Sequence, residues 1–158
     1  MSTNFISNIS VTEDVALLTL GHAPAKADFI SRVFGRVSEQ DINVDMISQT
    51  AVTGEYVTIS FTVSDEHVTN VVALANAVKD KYPSVKTLVK NGNVKIALYG
   101  EDMPDHPGVA AKVFQVFNRI GVGILLITTS ETDISILVDG SDYPAAYEAL
   151  CQEFGLPQ

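Results

Sequence analysis

The chain has 158 residues, 46% hydrophobic and 18% charged: enough for one sizeable core or two small ones, and too apolar for disorder. A net charge of −9 with no cluster of Lys or Arg argues against nucleic acid and anionic membrane as partners. No apolar run approaches the ~20 residues of a membrane span. The N-terminus, Met1-Ser-Thr-Asn-Phe-Ile, lacks a signal peptide's basic start and apolar centre, and Cys151 is the single cysteine, on a helix that reads as half buried. A reduced, cytoplasmic setting is expected.

In chain order, Phe5-Ile-Ser-Asn-Ile-Ser-Val11 alternates and reads as a strand, and a second strand covers 15–20. A helix over 26–40 follows, with Phe29, Ile30, Val33, Phe34 and Val37 on one side. Strands over 44–50 and 56–63 flank a hairpin around Thr53 to Glu55. The helix over 66–81 carries Val68, Val71, Val72, Ala75 and Val78 at helical spacing. A strand over 85–89 comes next, and Asn91-Gly92 predicts a turn. Another strand, 94–99, runs into the loop Glu101-Asp-Met-Pro-Asp-His-Pro-Gly108. The next helix, 107–120, presents Val109, Ala110, Val113, Phe114 and Phe117. Strands over 124–129 and 134–138 then flank a tighter hairpin around Glu131 to Asp133, and the last helix covers 142–154.

The loop before the helix at 107 has a chemical meaning. Pro107 suits a first helical position because its missing N–H needs no partner there. Gly108 puts no side chain over the orphan N–H groups of the first turn, at the positive end of the helix dipole. That is a seat for a carboxylate or phosphate. The same residues also make an ordinary strand-to-helix turn that binds nothing, and they do not decide between the two by themselves.

The chain repeats itself. At an offset of 80, Val33-Phe34 falls on Val113-Phe114, Ile47 on Ile127 and Pro24 on Pro104. Past the central hairpin the offset is 75, with Ser60 on Ser135 and Val63 on Val138. Each copy reads as βαββαβ, an antiparallel sheet covered by two helices. The second copy lacks its last strand, because only Gly-Leu-Pro-Gln follows Phe154. The left-over strand at 5–11 is expected to fill that place, nesting one unit inside the other. The predicted class is therefore α+β, with two ferredoxin-like units, one of 13–91 and one of 5–12 plus 92–158.

Two such units with Ile42-Asn-Val-Asp-Met-Ile-Ser-Gln49, His106-Pro-Gly-Val-Ala-Ala-Lys-Val-Phe114 and Ile127-Thr-Thr-Ser-Glu131 resemble the tandem ACT domains that end aspartate kinases. The resemblance runs from about Ile6 to Leu156 and covers the regulatory part alone. No glycine-rich phosphate loop follows a strand, and no paired carboxylates suggest acid–base work. His22, His67 and His106 lie in different elements without ligand spacing, so no metal and no cofactor is expected. The chain is not expected to catalyse a reaction on its own. It reads as a regulatory subunit, or an excised regulatory region, that partners an aspartate kinase catalytic domain.

The resemblance implies that a free amino acid, lysine or threonine, sits between the first domain of one chain and the second domain of a partner chain in a homodimer. Such a dimer has two kinds of seat. One uses the loop residues Met103, Asp105, His106, Pro107, Gly108 and Val109 with Asn43, Asp45 and Gln49 across from them, and it is intact. Main-chain N–H groups at Gly108 and Val109 suit the carboxylate of a zwitterion, and Asp45 and Asp105 suit its ammonium. The other seat has Ala25-Lys26-Ala27-Asp28 where the family has Asp-Lys-Pro-Gly, with Gly123 and Leu125 in place of the polar pair. Asp28 could serve the helix N–H groups itself and would repel a carboxylate. The hydroxyls of Thr128, Thr129 and Ser130 either satisfy the hairpin or touch a ligand in a supporting role. Two other readings stay open: a free-standing ACT-pair sensor serving another enzyme or regulator, and a structural dimerisation module with vestigial seats.

Overall fold

Residues 5–158 are described by the computed structural model, in two compact units: 14–92, and the residues up to Glu13 with Asn93–Gln158. The strands are β1 (Asn8–Pro24), β2 (Ile47–Gln49), β3 (Tyr56–Ser64), β4 (Lys86–Tyr99), β5 (Leu126–Thr129) and β6 (Asp133–Asp139). The helices are α1 (Ala27–Glu39), α2 (Val68–Lys81), α3 (Val109–Ile120) and α4 (Tyr143–Glu153). Single 3-10 turns at Asp65–His67 and Met103–Asp105 precede α2 and α3.

The sheet of the 14–92 unit has the order β2-β3-β1-β4. In its register Phe61 stands opposite Leu18 of β1 on one side and Ile47 of β2 on the other. In the other unit the order is β1-β4-β6-β5, with Ile96 opposite Ile136 and Ile127 opposite the same residue. Each is the antiparallel ferredoxin-like arrangement with two helices, and the strand that begins the chain completes the second sheet. Its attachment is explicit: the Ser7 N–H donates to the Tyr99 carbonyl at 2.8 Å, and Ile6 is fully buried in the second unit's core.

Two features depart from the sequence reading. Residues 5–11 and 15–20 are not separate strands; β1 runs on from Asn8 to Pro24, with Asp14 at φ 56° inside it. Likewise Asn91-Gly92 does not turn the chain back, and β4 is continuous with Gly92 at φ 73°. A left-handed Gly is the local signature of a tight hairpin. A hairpin also requires the flanking strands to pair with each other. Here residues 93–99 pair with β6 instead, and the Gly92 N–H is taken by the Asp65 carboxylate at 3.1 Å. These two positive-φ residues lie at the boundaries of the two units.

The cores follow the helical period, one residue round from the predicted stripe. In α3 the buried residues are Val109, Val113, Val116 and Phe117, while Ala110 is exposed and Phe114 is 45% exposed. In α2 Leu74 is buried with Val71, Ala75 and Val78, and Val72 faces outward. At 100° per residue, a position i+1 from the stripe's edge leaves the core even when its side chain is apolar. Cys151 is buried rather than half buried. Its side chain bonds the Tyr147 hydroxyl one turn earlier, and that contact raises the phenol's pKa above its ordinary value.

Candidate functional site

The site is built at the end of β4. Gly100 lies against the N-terminal strand so closely that any Cβ there would overlap the Phe5 carbonyl oxygen. The chain then makes one 3-10 turn, with the His106 N–H donating to the Met103 carbonyl at 3.1 Å, and reaches Pro107 and Gly108. Gly108 has φ 103° and no side chain to cap α3, which begins at Val109 instead of the expected Pro107. The left-handed φ excludes residue 108 from the helix, so Pro107 stands outside it too. The N–H groups of Val109, Ala110 and Ala111 are the orphan donors of the first turn, and space beside Gly108 is open.

A cavity of about 290 Å³ lies at this helix start. It brings together Met103, His106, Pro107, Gly108 and Val109 with Thr129 and Ser130 of the β5–β6 hairpin. Asp105, which is exposed, and the half-buried Thr128 lie outside this lining. Glu131 lines the cavity as well, though the sequence signals only that it follows a hydroxyl run. The Ser130 hydroxyl is engaged in the hairpin: it donates to the Asp133 carboxylate and accepts the Thr132 and Asp133 N–H groups at 3.2 Å. Thr129 is the exposed hydroxyl of that strand end. One element of the site had no sequence signal. The Phe5 ring stacks on His106, centroids 3.6 Å apart and 15° from parallel, so the N-terminal strand props a cavity wall.

Asn43, Asp45 and Gln49 belong to the 14–92 unit. They alternate with the buried Ile42 and Met46 and are all exposed, on one face together with Ile47. The register is locked by the Asp45 N–H on the Thr62 carbonyl at 3.0 Å and the Met46 N–H on the Thr62 hydroxyl at 2.9 Å. Regular pairing starts only at Ile47, because the buried Thr62 hydroxyl replaces a ladder partner at Met46. No cluster of three metal-ligating side chains occurs among the described residues.

A model of the ACT domain matches residues 96–154. The aspartokinase of Bacillus sp. (strain MGA3) is 28% identical over 96% of this chain, which spans 37% of that relative. The ligand-free regulatory subunit of aspartate kinase from Thermus thermophilus superposes with a TM-score of 0.84 at 25% identity, over 95% of this chain and 99% of its own. A structure of aspartokinase alpha and beta subunits gives 0.85 at 26% identity, over 96% and 99%. The chain is thus similar along nearly its whole length to the regulatory part of aspartate kinases, and residues 96–154 match an ACT domain. What it matches is the regulatory part, little more than a third of the curated relatives' length.

Within the chain the two helix starts differ. α1 begins at Ala27, two residues earlier in the repeat than α3, with the extended Lys26 as its cap. Asp28 is thereby inside the first turn, and its carboxylate lies 4.0 Å from Arg32. The residues aligned with Asn43 and Asp45 are Gly123 and Leu125, both exposed, the latter by 37%.

Proposed function

We propose that this ACT module senses a free amino acid, lysine or threonine, and regulates an aspartate kinase catalytic domain or subunit. Two copies form a homodimer in which the first domain of one chain faces the second domain of its partner, and each effector sits between them. The observation that carries this reading is the cavity at the start of α3, where orphan main-chain N–H groups flank an unobstructed Gly108. A zwitterion suits it: the carboxylate takes those N–H groups, and Asp45 from the facing domain receives the ammonium, with Asn43 and Gln49 beside it. Asp105 is close in sequence to this seat and serves the same ammonium in the reading. Exposed Ile47 and Leu125 give each unit's edge strand an apolar contact for the partner copy. Sedimentation should therefore find a dimer at micromolar concentration, and a monomer with and without lysine and threonine would count against the assembly.

Titration calorimetry with lysine and with threonine tests the seat itself, and one ligand per chain is expected. Asp28→Gly should leave that number at one, because Gly123 and Leu125 still offer no polar partner. Two ligands per chain would mean that the first domain's loop binds as well. No heat with any amino acid would leave the module a dimerisation element. Asp45→Ala should weaken binding by about 1.5–3 kcal/mol, the range for a hydrogen bond to a charged group. An unchanged affinity in that variant would remove Asp45 from the seat.

A further inference from the structure

Another hollow lies between α1 and α2 of the 14–92 unit, with a volume of about 410 Å³. It exists because the facing turns carry small residues: Ser31 and Gly35 on α1, and Ala77 on α2. Its floor is apolar, formed by Phe29, Leu74 and Val78 with the Tyr82 ring. Its rim carries Arg32, Arg36 and Lys81 against the single carboxylate of Glu39. In a chain with 10 bases and 19 acids, that local reversal of sign is unlike the composition around it. The repeat offers a control. In the second unit Gln115 stands at the position of Gly35, Val116 at that of Arg36, and Arg119 bonds Glu153 across α3 and α4 at 3.8 Å. There the helix pair is bridged by an ion pair, whereas the first pair presents a net excess of positive charge over an apolar floor.

We propose that the α1–α2 hollow is a second ligand site, for a small organic anion with a flat apolar body and a phosphate, sulfonate or carboxylate head. The volume is in the range of small-molecule sites, which join an apolar lining to a few convergent polar groups. The body lies on Phe29, Leu74 and Tyr82, while the head is met by Arg32, Arg36 and Lys81, two of them guanidinium forks suited to oxyanions. Asp28 competes for Arg32, but both side chains are more than half exposed and the 4.0 Å contact is weak. The site shares no residue with the effector seat proposed above and does not depend on it.

The probe is 8-anilinonaphthalene-1-sulfonate, followed by fluorescence and calorimetry on the whole 158-residue chain, with the uncharged N-phenyl-1-naphthylamine and inorganic phosphate alongside. The sulfonate should bind saturably at one per chain, and phosphate should compete weakly. The Arg32→Gln, Arg36→Gln double variant, which alters only exposed side chains, should lose about tenfold or more in affinity. Gly35→Leu should block the hollow; an added Cβ there meets nothing within 4 Å, so the helix tolerates it. Equal binding of the uncharged probe, or sulfonate binding that neither variant changes, overturns the proposal. So does occupation of this face by the kinase's catalytic polypeptide, read as protection of α1 and α2 from hydrogen exchange in the complex.

Discussion

Gly108→Asp is expected to abolish amino-acid binding while the chain still folds. The space beside Gly108 is open, so a new Cβ meets nothing. The cost to the fold is that of holding a non-glycine residue at φ 103°, on the order of 1–2 kcal/mol. The cost to binding is larger. Residue 108 is the cap of α3, and a carboxylate there accepts the first-turn N–H groups that the ligand needs. It also sets a like charge against the ligand's own carboxylate. Losing such charge-assisted bonds corresponds to roughly a hundredfold or more in affinity. Calorimetry should record no binding heat, and a thermal melt without ligand should show the fold retained. Gly108→Ala, which strains the backbone without adding an acceptor, should fall between. If the Asp variant binds as before, the effector does not sit on the start of α3.

Gly100→Ala is expected to be the most destabilising single change in the second unit, although it adds one methyl group. A Cβ at Gly100 would overlap the Phe5 carbonyl oxygen and stand 2.9 Å from its carbon. Both are backbone atoms, which cannot rotate aside as a side chain would. Relief requires residues 5–7 to leave β4, exposing Ile6 and breaking the Ser7–Tyr99 bond. Burial of one such side chain contributes roughly 1.5–3 kcal/mol and the hydrogen bond about 1 kcal/mol. A loss of about 3 kcal/mol in a domain of this size lowers Tm by roughly 10 °C. Hydrogen exchange at the Ser7 amide should accelerate with it. An unchanged Tm with a protected Ser7 amide would mean that the N-terminal strand is seated otherwise. Because Phe5 stacks on His106, the same variant should also weaken effector binding.

Much of this protein can be read from local pattern. Period-2 alternation and the helical spacing of apolar residues specify the strands and helices, and the internal repeat specifies the two ferredoxin-like units. The missing last strand of the second copy, set beside a left-over strand at the N-terminus, identified how the second sheet is completed. The loop from Met103 to Val109 was legible because Pro, Gly and a following apolar stripe are strong local signals. Tertiary structure decided what no local signal carries. Whether Asn91-Gly92 reverses the chain depends on which strands find each other, and with residues 93–99 paired to β6 it became a positive-φ position inside a continuous β4. Whether Asp28 caps α1 depends on where that helix starts, and it starts early enough to enclose Asp28 in its first turn. The Phe5–His106 stack joins residues about a hundred positions apart, and the α1–α2 hollow arises from small residues on two helices that meet only in the fold. Local sequence sets backbone propensity and the face that each side chain takes. Which faces meet, and what room is left between them, is settled by the summed packing of distant segments.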